Sequence, residues 1–404
     1  MADTIILWDW AGFALRWLHV ITAIAWIGSS FYFVALDLGL RKAPDLPEGA
    51  YGEEWQVHGG GFYHIRKYLV APAQMPEHLT WFKWEAYATW LSGFALLVLV
   101  YYFGAELFLI DPTVRALTPL QAVALSVGSI VGGWLIYDFL CKSKLGADQT
   151  RLMLALYAVL VVVSWAYAQL FSGRAALVHL GAFTATIMAA NVAHIIIPNQ
   201  RKVVKALLAG DKPDPKYGAQ AKQRSLHNNY LTLPVLFLML SIHYPLAFAT
   251  PYNWLIAALV FLMGVTIRHF FNTMHARKGM LWWTWGATAA IFLVIVWLST
   301  FTREAPEDVR TTAAEQALID SPHFDAVRDT VLSRCSMCHA HAPLWDGLRV
   351  APKGVMLESD RDIALNARAI WLQAGRSHAM PPGNLTGVEP QERATLMAWY
   401  EGAQ

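Results

Sequence analysis

The sequence predicts an all-α protein: a polytopic membrane bundle of about eight helices, then a small soluble helical domain. Three observations predict it. Hydrophobic residues make up 56% of the chain and charged residues only 15%, against roughly 45–50% and 25% in soluble domains. Eight apolar runs, each near the ~20 residues a bilayer needs, follow one another at about 11–36, 80–103, 118–140, 151–171, 175–197, 228–249, 252–272 and 281–301. After them the chain turns polar and carries Cys335-Ser336-Met337-Cys338-His339. The domains read as 1–302 for the bundle, 303–321 for a polar, acidic linker around Pro306, and 322–404 for the soluble end.

Charge orients the bundle. Sixteen Lys and Arg lie in the loops 37–79, 141–151, 198–227 and 273–280, whereas the short loops opposite hold Arg115 and Arg174. The positive-inside rule puts the basic side in the cytoplasm and both termini outside, in the periplasm of a bacterial inner membrane. The residues before the first run are acidic (Asp3, Asp9), and the run is too long for a signal h-region, so no cleavable signal is expected. Lipid is therefore a partner. A net charge of +2 with no basic stripe gives no case for nucleic acid. The triple glycine Gly59–Gly61 is not a GxGxxG fingerprint.

Two thiols three positions apart, followed by His, form the attachment pattern for c-type haem. Cys335 and Cys338 would add to the vinyl groups, and His339 would become an axial iron ligand, giving one covalent haem c. A zinc site would need further Cys or His at suitable spacing. Met380-Pro381-Pro382 offers the second metal ligand, ahead of Met356 and Met397. Met/His ligation raises the potential, and prolines stiffen the loop. The tail resembles a class I cytochrome c, with helices expected at 323–334, 365–374 and 390–401. Such a domain moves single electrons and catalyses nothing alone. Because c haem is attached outside the cytoplasm, this agrees with the topology from charge. Cys141 is a lone thiol, expected to be inert.

Ionisable residues at membrane depth are costly and mark function. His19, His179 and His243 fall nearer the outside; Asn191, His194, His227, Asn228, Arg268 and His269 fall nearer the inside. His179 and His194 are fifteen residues apart, about 22 Å of helical rise. Histidines at two depths are what one or two b haems would need. The alternative is that they bond to backbone or line a polar seam. Arg16 would meet a haem propionate or snorkel to the interface. The cytoplasmic side concentrates His64 and Arg66 in the first loop and His227-Asn228-Asn229-Tyr230 in the third. Arg offers a fork for a planar anion, Asn a paired donor and acceptor, and aromatics a stacking wall. An ordinary interfacial belt has a similar composition.

Four stretches of the bundle carry a resemblance: WQVHGGGFYHIRKYLVAPA (55–73), WFKWEAYATWLSGF (81–94), RSLHNNYLTLPVLFLM (224–239) and HYP (243–245). With the CSMCH tail, the chain resembles the bacterial membrane-bound, cytochrome c-linked urate oxidases (urate hydroxylases) along essentially its whole length. The resemblance implies two-electron oxidation of urate to 5-hydroxyisourate, with oxygen from water. Electrons would leave through the c haem to a downstream cytochrome c or terminal oxidase. As a mechanism, Arg66, Arg224 or Arg268 would pair with the urate anion, and Asn228 or Asn229 would bond its amide edge. His227 or His64 would take a proton, imidazole titrating near neutrality. A site on the cytoplasmic face would require electrons to cross the bilayer, a physical reason to expect haem at His194/His269 and at His179/His243 or His19; a site near the outer face would require no b haem. One rival reading is a quinol-linked or other-donor b/c-type electron-transfer subunit. A second is a non-enzymatic haem-handling or transport module.

Overall fold

The computed structural model describes residues 2–68, 75–300, 311–345, 348 and 351–403. Each of the eight apolar runs is helical. They are α1 (Ala2–Gly39), α2 (Trp84–Tyr102), α3 (Pro119–Lys142), α4 (Gln149–Ala168), α5 (Gly173–Leu208), α6 (Pro215–Leu240), α7 (Asn253–His275) and α8 (Trp283–Thr300). Seven are long and apolar enough to cross a membrane; α6 is the exception. Its first half carries Lys216, Lys222 and Arg224, which offset the apolar run that follows.

The chain is not all-α. Ala50–His58 (β1) and Gly61–Tyr68 (β2) pair antiparallel, with Trp55 opposite His64 and His58 opposite Gly61. Gly59 and Gly60 make the two-residue turn with φ of 59° and 80°. A tight hairpin turn of this kind needs positive φ at both positions, which glycine supplies at no steric cost. So the triple glycine of the sequence turns a hairpin. Residues 69–73 of the same stretch lie outside the described residues.

α5 is the central helix, buried from Ala175 through Gly181 and again at Phe183, Thr184 and Ile187 to Ala189. It packs against α2, α3, α4, α6 and α7. Two close approaches rest on glycine. A Cβ on Gly133 of α3 would lie 2.0 Å from the Phe183 ring, and one on Gly264 of α7 would lie 2.6 Å from Pro234 of α6. α5 widens to a π-helical segment over Asn191–Ile196, just before Pro198. Proline donates no backbone N–H and its ring crowds the preceding turn, a cause of such bulges. The bulge turns Asn191 into the interior, where it is fully buried.

The tail holds its own core. Ala313–Ile319 (α9), Phe324–Arg334 (α10), Asp360–Leu365 (α11), Ala367–Ile370 (α12) and Pro390–Gly402 (α13) enclose Trp371 and Trp399. Phe324 and Trp399 meet with ring centroids 5.9 Å apart, tying α10 to α13. α9 falls in the stretch assigned to the linker, yet Leu318 is buried in this core and its carbonyl accepts from Trp399 Nε1 at 2.9 Å. Ordered structure therefore reaches back into that stretch; residues 303–310 lie outside the described residues. Arg368 of the tail pairs with Asp9 of α1. Gly354 lies against Pro245, in the connection between α6 and α7.

Gly133→Ala should force Phe183 to move and cost about 1–3 kcal/mol. Thermal unfolding in detergent checks this. An unchanged midpoint would show that α3 and α5 are less tightly packed.

Candidate functional site

Polar side chains gather in two buried networks at the end of the bundle away from the tail. In the first, Arg224 of α6 is almost fully buried and donates through Nη2 to Asp138 of α3 at 2.7 Å and through Nη1 to Asn191 Oδ1 at 3.2 Å. Asn191 Nδ2 lies 3.0 Å from Tyr137 Oη and 2.9 Å from Asn228 Oδ1. Asn228 Nδ2 donates to the Met188 carbonyl. His227 is held at both ring nitrogens, Nδ1 by Tyr137 at 2.7 Å and Nε2 by Gln149 at 2.9 Å. In the second, Asn229 Oδ1 accepts from Asn272 Nδ2 at 2.9 Å and from Arg268 Nε at 3.4 Å. Arg268 also donates to Asn272 Oδ1 and stacks over Phe31. Asn229 Nδ2 is buried without a hydrogen-bond partner.

The candidates read from sequence are therefore divided. His227 and Asn228 belong to the first network, Asn229 and Arg268 to the second, and Tyr230 is half-buried beside them on α6. The polar atoms of His227 and Asn228 are spent on protein partners, so these two residues brace three helices. His64 and Arg66 are elsewhere: both bond Glu53 Oε2 on the hairpin, at 2.7 and 3.2 Å, and His64 stacks on Trp55. Sequence reasoning missed Tyr137, Asp138, Gln149 and Asn272. Asp138 is the only acid in its apolar helix, a signal that was available because an acid there needs a partner.

A polar pocket of about 340 Å³ opens at this same end, between α1, β1 and α7. Tyr32, Glu54, Gln56, His275 and Arg277 line it with Gly39 and Met274. Glu54 Oε2 and His275 Nδ1 are buried there and lack hydrogen-bond partners. Tyr32 Oη donates to Gln56 Oε1 at 2.6 Å, and Arg277 donates to the Gly39 carbonyl. The set offers a cation, an amide, a carboxylate and an imidazole around one small space. None of these residues was singled out from sequence, because they come from three distant segments.

A second cavity, of about 410 Å³, runs between α1, α2, α5 and α6. Its walls are apolar apart from a few groups that include Arg16, His19, Arg174 and His243. The other histidines proposed as haem ligands do not line it. His179 is fully buried and ringed by Tyr101, Tyr102, Tyr167 and Phe171. His194 sits beside Trp134, and His269 beside Trp283.

In the tail, Cys335 and Cys338 are free thiols at the end of α10. Burial first, then Cys338 and Glu392 nearby, pushes the Cys335 thiol up to about 11. His339 Nδ1 donates to the Val355 carbonyl at 3.0 Å. A carbonyl only accepts, so Nε2 keeps its lone pair for a metal, and the backbone bond orients the ring. The Met380 carbonyl accepts from Arg393 Nη1 at 3.0 Å, and its N–H donates to Gln373. This donor set, two thiols with one imidazole and one thioether, fits a covalently attached haem.

Asp138→Ala should destabilise the bundle by about 3–5 kcal/mol, because it strands the buried Arg224 charge. Adding Arg224→Leu should recover part of that loss. Chemical denaturation in detergent measures both, and a double variant no more stable than Asp138→Ala would remove the pair as the cause.

Residues 5–299 match the family model described as Urate oxidase N-terminal. No curated protein and no solved structure matches the chain. The matched region is the whole helical bundle with its hairpin.

Proposed function

We propose that this chain, which belongs to the Urate oxidase N-terminal family, oxidises urate in a membrane and passes the electrons to a c haem on its own tail. The observation that carries the reading is the union of two features in one polypeptide. The family match spans the bundle, and the CxxCH motif beyond it has two free thiols that would attach a haem and an imidazole, held at Nδ1, that would ligate its iron. The helices support a membrane-bound form, and the charge bias supports a periplasmic tail.

Urate is a planar anion rich in amide edges. The pocket lined by Arg277, Gln56, Glu54, His275 and Tyr32 supports it better than the buried networks, since it has both space and unspent polar atoms. Arg277 balances the negative charge, and Gln56 offers both a donor and an acceptor to the amide edge. The unpartnered Nδ1 of His275 and Oε2 of Glu54 can hold protons released as the ring is oxidised. Urate and water together yield 5-hydroxyisourate, two protons and two electrons. Cys335, Cys338, His339 and Met380 would hold a c haem, which would supply a one-electron acceptor. A soluble cytochrome c or a terminal oxidase would take each electron from it in turn. The two buried networks keep α3, α5, α6 and α7 in register behind the pocket.

Urate added without oxygen should reduce the c-haem absorption band of the purified chain. His275→Ala should slow that reduction by about 10²-fold or more, while reduction by dithionite stays unchanged. A band that quinol reduces and urate does not would replace this reading with the electron-transfer subunit.

A further inference from the structure

We propose that the apolar cavity between α1, α2, α5 and α6 holds a non-covalent b-type haem with His19 as an axial ligand. The proposal rests on the redox reading above in one respect only: electrons must travel from the bundle to the tail. The site itself stands on four observations.

The first is the state of His19. Its Nδ1 lies 3.0 Å from the Thr89 carbonyl and 3.2 Å from Ser92 Oγ. The carbonyl accepts, so Nδ1 carries the hydrogen and Nε2 keeps a free lone pair. Metal-ligating histidines show this arrangement, with a backbone or side-chain acceptor fixing tautomer and ring orientation. The second is Gly93, facing that imidazole from α2. A Cβ there would come within 2.7 Å of His19 Cε1, so only glycine lets the ring lie where it does. The third is the cavity, whose walls are Val, Ile, Leu, Trp and Phe side chains with few polar atoms. A large planar apolar group fits it; a small polar anion does not.

The fourth is the position of its cations. Arg16 lies one turn from His19 on α1, and Arg174 begins α5. Arg174 Nε is buried with no hydrogen-bond partner. Two guanidinium groups at the tail-facing end match the two propionates of a haem. His243 lines the same end and offers a second imidazole. Two residues on, Pro245 touches Gly354 of the tail. Gly354 adjoins Val355, whose carbonyl orients His339. The His243 end of the cavity therefore lies close to the segment whose carbonyl orients His339. Each electron that leaves urate would reduce the b iron and then pass to the c iron, two such transfers per urate.

The test is haem counting on the full-length purified chain, without substrate. Acid–acetone extraction separates non-covalent haem from the haem bound to Cys335 and Cys338. The expected result is extractable protohaem stoichiometric with the covalent haem. His19→Ala should weaken its retention at least about 10–100-fold while the covalent haem stays, and an unchanged thermal unfolding midpoint in detergent reports that the bundle has folded. Gly93→Val, which pushes on the ring without removing it, should alter the spectrum of the extractable haem or lower its amount. Covalent haem alone in the wild type, or extractable haem that survives His19→Ala undiminished, would overturn the proposal. Recovery of only lipid or quinone from the cavity would overturn it as well. Because no urate enters the measurement, its failure leaves the urate reading to stand or fall separately.

Discussion

A guanidinium buried in a helix bundle must be paired, and Arg224 is buried. It reaches Asp138 on one side and Asn191 on the other, so one charge ties α6 to α3 and α5. Asn191 can meet it only because α5 widens ahead of Pro198. The remaining polar atoms follow from this start. Tyr137 and Asn228 satisfy Asn191, and His227 satisfies Tyr137. Stranding any member would leave an unpaired group where water is scarce, and the cost of that exceeds what the bond itself contributes. The network therefore fixes which faces of three helices meet, and with them the shape of the cavities on either side.

Those cavities differ in chemistry as their contents would require. The pocket under the hairpin is polar, small and lined by groups with unspent hydrogen-bonding capacity. The cavity nearer the tail is apolar, with cations gathered at one end. The tail adds two thiols and an oriented imidazole, and it touches the bundle at Pro245, two residues from His243 of that cavity. On the proposed reading the polar pocket would take the substrate, the apolar cavity would relay electrons and the tail would pass them out. Such an order suits a reaction whose oxidant sits on the opposite side from the substrate.

Much of the fold was legible in the sequence. Apolar runs of spanning length became helices because backbone groups there have no better partner than their own chain. The CxxCH motif stands out in the sequence because the haem attachment proposed for it needs contiguous residues. The hairpin was missed, although Trp55 and Val57 alternate with Glu54, Gln56 and His58, because Tyr63 and Ile65 break the alternation in the second strand. The site was legible only in part. His227 and Asn228 were found by type and depth, yet depth alone cannot tell a bracing network from a reactive one. His275, Arg277, Glu54 and Gln56 meet through tertiary structure, so no spacing along the chain announces them. His19 stood among five candidate histidines, and what separates it is a glycine on a neighbouring helix and an unfilled space beside it.

The central proposal is that water, not dioxygen, supplies the oxygen added to the substrate carbon while electrons leave through the tail. Isotope labelling tests it most directly. The purified chain, urate and an excess of oxidised cytochrome c are mixed without oxygen in water enriched in oxygen-18. The account predicts 5-hydroxyisourate carrying one labelled oxygen and two cytochromes reduced for each urate consumed. Turnover that requires dioxygen, releases hydrogen peroxide and leaves the cytochrome oxidised would contradict it.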